Sequence, residues 1–415
     1  MMDPKNLLIK EFDYHLPDEK IAKYPVGERD ASKLLIYRNA SISDDVFSNL
    51  AAHLPADSLL VFNNTKVVEA RLLFKKPSGT TIEIFCLEPI EPHKDVKSAM
   101  LATSPVQWKC LVGNAKKWKA ELLSKQLHIG VKEVKFSATK KAKYADVFVI
   151  EFTWNDDQIT FAEMLHAAGV IPLPPYLHRE ANKEDNESYQ TIYAKQPGSV
   201  AAPTAGLHFT ERLMSELRQQ NMQLDFVTLH VGAATFMPVK SAALGEHSMH
   251  AEYFEVSRNL IERLSNTLTG TIVAIGTTSL RTIESLYWMG SKLVDHLRER
   301  SATDITTTDI SVKQWEPYEL DTHCNVSDAL EALLIWMNEN KMENLVAETQ
   351  IIIAPPYKLK IAKALITNFH QPKSTLLLLV AAVTGNQWKK IYEYALNHDF
   401  RFLSYGDACL FFPEV

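Results

Sequence analysis

Cysteine is scarce in this chain and glycine is thinly spread, and each shortage excludes some chemistry. The four cysteines, Cys86, Cys110, Cys324 and Cys409, stand far apart and form no C-x-x-C pair, so neither a disulfide framework nor a structural zinc site is expected. No two of the 14 glycines are separated by a single residue, which removes the G-x-G dinucleotide fingerprint; a G-K-[ST] phosphate loop and a G-x-S-x-G nucleophile elbow are missing as well. Long apolar runs are also lacking. Leu376–Val383 is the longest, far short of the ~20 residues that cross a bilayer, and Met1–Lys10 has no signal-peptide core. A cytoplasmic protein is therefore expected. His247-x-x-His250-x-Glu252 clusters metal-ligand types, but its spacing fits no strong template, and metal-free roles are favoured.

What is present is ordinary for a folded protein: 415 residues, 46% hydrophobic and 23% charged, enough for two or three domains. The net charge of −6 does not mark a nucleic-acid binder, yet the charge is uneven. Ten lysines face two glutamates between Trp108 and Tyr144. Lys109, Lys116, Lys117, Lys119, Lys140 and Lys141 in that stretch are candidates for phosphate contact, with Trp108 and Trp118 as stacking partners; a merely solvated lysine face is the plainer alternative.

Along the chain, Leu34–Tyr37 and Ser58–Phe62 read as short buried strands around a helical stretch, Val46–His53. From residue 69 to 152 short alternating runs separated by turn signals predict a small antiparallel β-barrel inserted into a mixed α/β main domain, residues 1–68 and 153–415. Three strand–loop–helix units follow Tyr189–Leu213, a stretch dense in Pro and Gly. Their strands, Leu224–Leu229, Thr271–Ile275 and Ile361–Ile366, end in polar loops at His230–Phe236, Gly276–Ser279 and Thr367–Lys373, and ligands of open α/β sheets collect at carboxyl ends of strands. Residues 291–345, with eleven acids against five Lys or Arg, read as an accessory insertion holding a helix at Val326–Asn338. Asp399–Phe412 reads as a hairpin.

The loops supply His208, His230, His250, His370, Asn368, Thr204, Thr277, Thr278 and Arg281. Histidines move protons near neutral pH, and Gly276–Ser279 at a helix start can hold a carboxylate or phosphate. Any one of these histidines taken alone is more often a structural residue. Together they suit proton transfer and group transfer on an amino-acid- or nucleotide-derived substrate.

The motifs FNNTKVVEARL, VIPLPPYLHRE, YQTIYAKQPGSVAAPTAGLHFTERL, FVTLHVGAATFMPV, HSMHAEYFEV, VAIGTTSLRTIESL, ALITNFHQPKSTLLLLVAA and FRFLSYGDACLF resemble the S-adenosylmethionine:tRNA ribosyltransferase-isomerase family of queuosine biosynthesis, in the same order from Phe12 to the C-terminus. The resemblance implies transfer of the ribosyl part of S-adenosylmethionine, a cosubstrate rather than a bound cofactor, to 7-aminomethyl-7-deazaguanine at the wobble position of tRNA. Adenine and methionine leave, and epoxyqueuosine forms. It implies a monomer with tRNA and S-adenosylmethionine as partners. Under it, His208 or His230 is the base, with His370 the third catalytic histidine. Thr204, Gly206, Gly232, Gly276, Thr277, Thr278, Ser279, Arg281 and Asn368 hold the cosubstrate, the carboxylate falling to Gly276–Ser279 with Arg281. Asn368 and His370 orient the adenine or ribose. The long segment Ser291–Leu345, Pro355-Pro356 and Lys363 depart from the family pattern and bear on substrate identity; other acceptors, or RNA binding without catalysis, are the competing expectations.

Overall fold

The computed structural model describes residues 3–119, 122–144, 147–232, 239–297, 301–320 and 324–413. Two large sheets organise them. The first has nine strands in the order Asn344–Thr349, Glu252–Ser257, Gln223–Leu229, Leu59–Asn63, Ile272–Ile275, Ala364–Asn368, Ala408–Phe411, Lys33–Arg38 and Ser41–Val46. Its central four, from Gln223–Leu229 to Ala364–Asn368, are parallel, and antiparallel neighbours close both sides. The period-two alternation of a strand divides these near-continuous apolar sequences between two cores. Leu59, Val61, Ala274 and Leu365 enter one; Leu60, Phe62, Val273, Ile275 and Ile366 enter the other.

Helices cover both faces. On the first, Gly276–His296 buries Leu280, Ile283, Leu286 and Met289, and Val326–Glu339 packs across it. Gly290 permits that crossing, since a Cβ there would stand 2.0 Å from the Ala329 carbonyl oxygen. On the second, Glu211–Gln219 sets Leu213, Met214 and Leu217 against the sheet, capped at its start by Thr210, whose hydroxyl accepts from the Leu213 N–H.

The second sheet has seven antiparallel strands in the order Gly169–Val170, Arg71–Lys75, Thr81–Glu91, Val106–Gly113, Val147–Trp154, Lys132–Tyr144 and Leu123–Ile129. It curls: Lys125 on one edge strand donates to the Leu73 carbonyl at 3.3 Å and to that of Ala168 near the opposite edge. Phe74, Phe136, Phe152, Phe161 and Trp154 fill the trough. The helix Phe161–Ala168 and the strand Gly169–Val170 belong with this sheet, past the expected boundary at 152.

Several expectations shift. Ser291 lies inside the helix Gly276–His296, and Asn344–Thr349 is an edge strand of the main sheet, so residues 291–345 are continuous with the main core at both ends. Asp399–Phe412 is not a hairpin. Only Ala408–Phe411 is a strand, and it pairs with Ala364–Asn368 and Lys33–Arg38. The strand Ser41–Val46, turned at Asn39-Ala40 with φ of 52° and 59°, has no apolar alternation to reveal it. Within the stretch expected to form the barrel, residues 120, 121, 145 and 146 lie outside the described residues.

Candidate active site

The four parallel strands all deliver their carboxyl ends to one edge, where Asn63, Leu229, Ile275 and Asn368 terminate them. Asn63 clasps that edge. Its side-chain oxygen accepts from the N–H groups of Thr65 and Leu229, both at 3.1 Å, while its amide donates to the Leu229 carbonyl at 3.0 Å and to Thr278 Oγ1 at 3.2 Å. Asn63 is not among the residues expected at the site; the polar pair Asn63-Asn64 directly after an apolar strand is the signal that could have marked it. A cleft opens beside this edge, lined by Thr204, Val231, Gly276, Thr277, Thr278, Thr367, Asn368, His370 and Ser374 together with Tyr176, Tyr189 and Ser404. No loop intervenes at Gly276: the helix begins there, with φ of +87°, a conformation that glycine adopts without strain. The first N–H groups of a 21-residue helix therefore face the cleft with no acid in their turn, a setting that favours an anion.

From the cleft wall inward runs a chain of side-chain hydrogen bonds. Thr204 Oγ1 donates to Asn368 Oδ1 at 2.9 Å, the Asn368 amide reaches His208 Nε2 at 3.1 Å, and His208 Nδ1 lies 2.8 Å from Ser32 Oγ. If Nε2 accepts from the amide, the ring proton is on Nδ1 and points to Ser32. Burial, with Arg401 and Arg29 nearby, lowers the His208 pKa to about 3, so the ring is neutral. Both of its nitrogens are occupied within the protein.

His370 is the histidine in the cleft lining. Its Nε2 is 2.8 Å from Thr367 Oγ1, its backbone N–H donates to Tyr392 at 3.0 Å, and its carbonyl accepts from Tyr14. Burial lowers its pKa to about 3. His230 follows the strand Gln223–Leu229 but turns away from the cleft. Its Nδ1 is 3.0 Å from Thr65 Oγ1 and its ring packs on Gly198, where a Cβ would meet it at 3.0 Å. Burial lowers its pKa to about 4.

Four expected cosubstrate residues do not line the cleft. Gly206 is a packing residue, since a Cβ there would stand 2.0 Å from Tyr193 Oη. Gly232 has open space around it, and the rest of its loop, Ala233–Phe236, lies outside the described residues. Ser279 is fully buried, one turn into the helix. Arg281 is buried too, its guanidinium bonded to Glu252 and, at 3.1 Å, to the Ile351 carbonyl. That pairing uses the acid of the His247-His250-Glu252 trio, whose His250 is exposed. Lys363 sits at the far end of its strand and donates to the Leu268 carbonyl at 2.6 Å, so this departure from the family pattern is remote from the cleft.

The lysine-rich stretch is less open than its sequence promised. Lys109 pairs with Glu88 at 2.8 Å and Lys141 with Glu151 at 3.0 Å, while Lys140 donates to the Trp118 carbonyl over the Trp118 ring. Lys116, Lys117 and Lys119 are exposed. Trp108 and Trp118 are buried in the trough at 3% and 1% exposure, which corrects the expectation that they stack on bases. Trp108 alternates with Lys109 along the strand Val106–Gly113 and points inward, while Trp118 follows the turn Ala115–Lys117 and is buried in the same core.

A profile of the queuosine biosynthesis protein family matches residues 9–411. The chain belongs to that family. Among curated relatives, the S-adenosylmethionine:tRNA ribosyltransferase-isomerase of Trichlorobacter lovleyi is 34% identical over 409 residues, 97% of this chain and 99% of the relative. The crystal structure of an S-adenosylmethionine tRNA ribosyltransferase from Thermotoga maritima matches at 27% identity and a TM-score of 0.45, covering 96% of this chain and 99% of that one. By family the chain is thus a ribosyltransferase-isomerase. Among its described residues, no helix is long and apolar enough to cross a membrane.

Proposed function

We propose that this enzyme transfers and isomerises the ribosyl moiety of S-adenosylmethionine onto 7-aminomethyl-7-deazaguanine at the wobble position of tRNA, giving epoxyqueuosine with release of adenine and methionine. The observation that carries the reading is the cleft at the carboxyl ends of the parallel strands, where Thr204, Gly276, Thr277, Thr278, Asn368 and His370 converge. In this reading the helix start at Gly276–Thr278 takes the cosubstrate carboxylate. The Thr204–Asn368–His208–Ser32 chain fixes which end of the Asn368 amide meets the nucleoside, so His208 positions rather than abstracts.

The sulfonium of S-adenosylmethionine acidifies the adjacent ribose carbon, and the reaction needs a neutral base there and a proton donor for departing adenine. His370, neutral and in the cleft, is the candidate for proton transfer, whereas His230, bonded to Thr65 and packed on Gly198, stands outside the cleft lining. The curled sheet is then an inserted domain that presents Lys116, Lys117 and Lys119 to the tRNA backbone, and the enzyme works as a cytoplasmic monomer without a metal or a permanently bound cofactor. A thermal-shift titration tests the first half of the proposal: S-adenosylmethionine at about 100-fold its dissociation constant should stabilise the protein by roughly 2.7 kcal/mol. No shift would contradict it.

A further inference from the structure

A second cavity lies on the Ser32 side of His208. Arg29, Ser32, Glu184, Glu187, His208, Arg401, Ser404 and Tyr405 line it together with Pro25 and Gly27. The two cavities share Ser404 in their walls, and Ser404 Oγ is 2.7 Å from the hydroxyl of Tyr176 in the first cleft. Arg29 is held rigidly by donating to the carbonyls of Gln190 at 2.7 Å and Glu187 at 2.8 Å. Arg401 donates to Asp407 at 3.1 Å. Glu184 and Glu187 leave their carboxylates exposed.

At the rim, Tyr24 precedes Pro25 and is 56% exposed, an unusual position for a large aromatic ring. The Arg179 guanidinium lies 4.3 Å from its centroid and 6.0 Å from that of Tyr405 in the cavity wall. Asp185 fixes Arg179 from the side through two bonds of 2.7 and 2.6 Å. A pre-ordered Tyr24–Arg179–Tyr405 column therefore runs from solvent to the cavity.

We propose that this second cavity receives a single unpaired purine nucleotide of an RNA loop, the acceptor of the ribosyl group. The inference rests on the function proposed above and adds where the acceptor binds. Transfer between two substrates requires adjoining sites, and these two cavities adjoin at Ser404. Unpaired bases are recognised by stacking on aromatic or guanidinium planes and by hydrogen bonds to their edges. The carboxylates of Glu184 and Glu187 match the N–H donors of a guanine edge and an aminomethyl substituent, while Arg29 and Arg401 match a phosphodiester. A base held in a duplex cannot enter such a cavity without leaving the stack.

The test uses the full chain and a synthetic RNA hairpin with one guanine unpaired in its loop, with binding read by fluorescence anisotropy. The thermal response to S-adenosylmethionine is followed in parallel. Tyr24→Ala should weaken hairpin binding about tenfold, the scale of removing one stacked ring, Tyr24→Phe should not, and a fully paired duplex should bind equally to all three proteins. A Glu184→Ala/Glu187→Ala double variant should lose affinity for the hairpin but not for the duplex. Hairpin affinity unchanged in Tyr24→Ala and in the double variant, with the cosubstrate response intact, would overturn the cavity assignment alone. A wild-type protein that ignores S-adenosylmethionine would instead strike at the proposed function.

Discussion

Asn368 directs its side-chain amide at His208 Nε2 across 3.1 Å, and through that bond a buried histidine sets the polarity of the cleft. With the amide committed to His208, the Asn368 oxygen is left to accept from Thr204. Removing the ring frees the amide to rotate and leaves a buried donor unpaired, at a cost of roughly 1–3 kcal/mol. His208→Ala should therefore destabilise the fold by about that amount and, by freeing the Asn368 amide, weaken S-adenosylmethionine binding in calorimetric titration, with His208→Gln recovering part of both. Equal affinities for wild type and His208→Ala would contradict a positioning role.

Acid sensitivity follows from the same burial. His208, His230 and His370 have folded pKa values of about 3, 4 and 3, below the ordinary histidine value near 6.5. The unfolded chain takes up protons that the folded one refuses, so stability is full above about pH 6.5 and falls as pH drops below it. The loss is at most ~2 kcal/mol per histidine between about pH 6.5 and 5. Urea unfolding near pH 7 and pH 5 measures it, and an unchanged midpoint would refute the buried neutral assignment.

Gly206 tests a packing explanation against a ligand one. With Tyr193 Oη 2.0 Å from a would-be Cβ, Gly206→Ala should cost ~1–3 kcal/mol of stability through overpacking. Adding Tyr193→Phe should relieve part of that cost. A Gly206→Ala protein of full stability but impaired cosubstrate binding would return Gly206 to the binding site.

The lysines divide into two groups with different expectations. Lys116→Ala, Lys117→Ala and Lys119→Ala together should reduce the salt dependence of tRNA binding by a slope of about 2 to 3, near one for each phosphate that a lysine no longer neutralises. Lys109→Ala with Lys141→Ala should change it little, because Glu88 and Glu151 already neutralise those charges. Equal effects of the two sets would show that the ion pairs open on binding.

Sequence periodicity revealed the parallel strands because their side chains are buried on both faces, and the polar residues that end them marked the cleft edge. The polar loops expected after those strands contain Thr277, Thr278, Asn368 and His370, and all four line the cleft. What it did not reveal depends on partners distant in the chain. Arg281 beside a helix start reads as an anion ligand until the strand Glu252–Ser257 brings Glu252 to it. Ser32 carries no motif, yet it completes the bond to His208 from 176 positions away. Trp108 and Trp118 read as stacking platforms until the curl of the sheet decides which face is the interior.

The central claim is tested most directly by incubating the purified protein with S-adenosylmethionine and tRNA carrying 7-aminomethyl-7-deazaguanine, then following free adenine and the modified base together by mass spectrometry. Adenine release matched by epoxyqueuosine in the tRNA is the predicted result, lost in His370→Ala. Binding of the cosubstrate with neither product would contradict the account and point to a different acceptor.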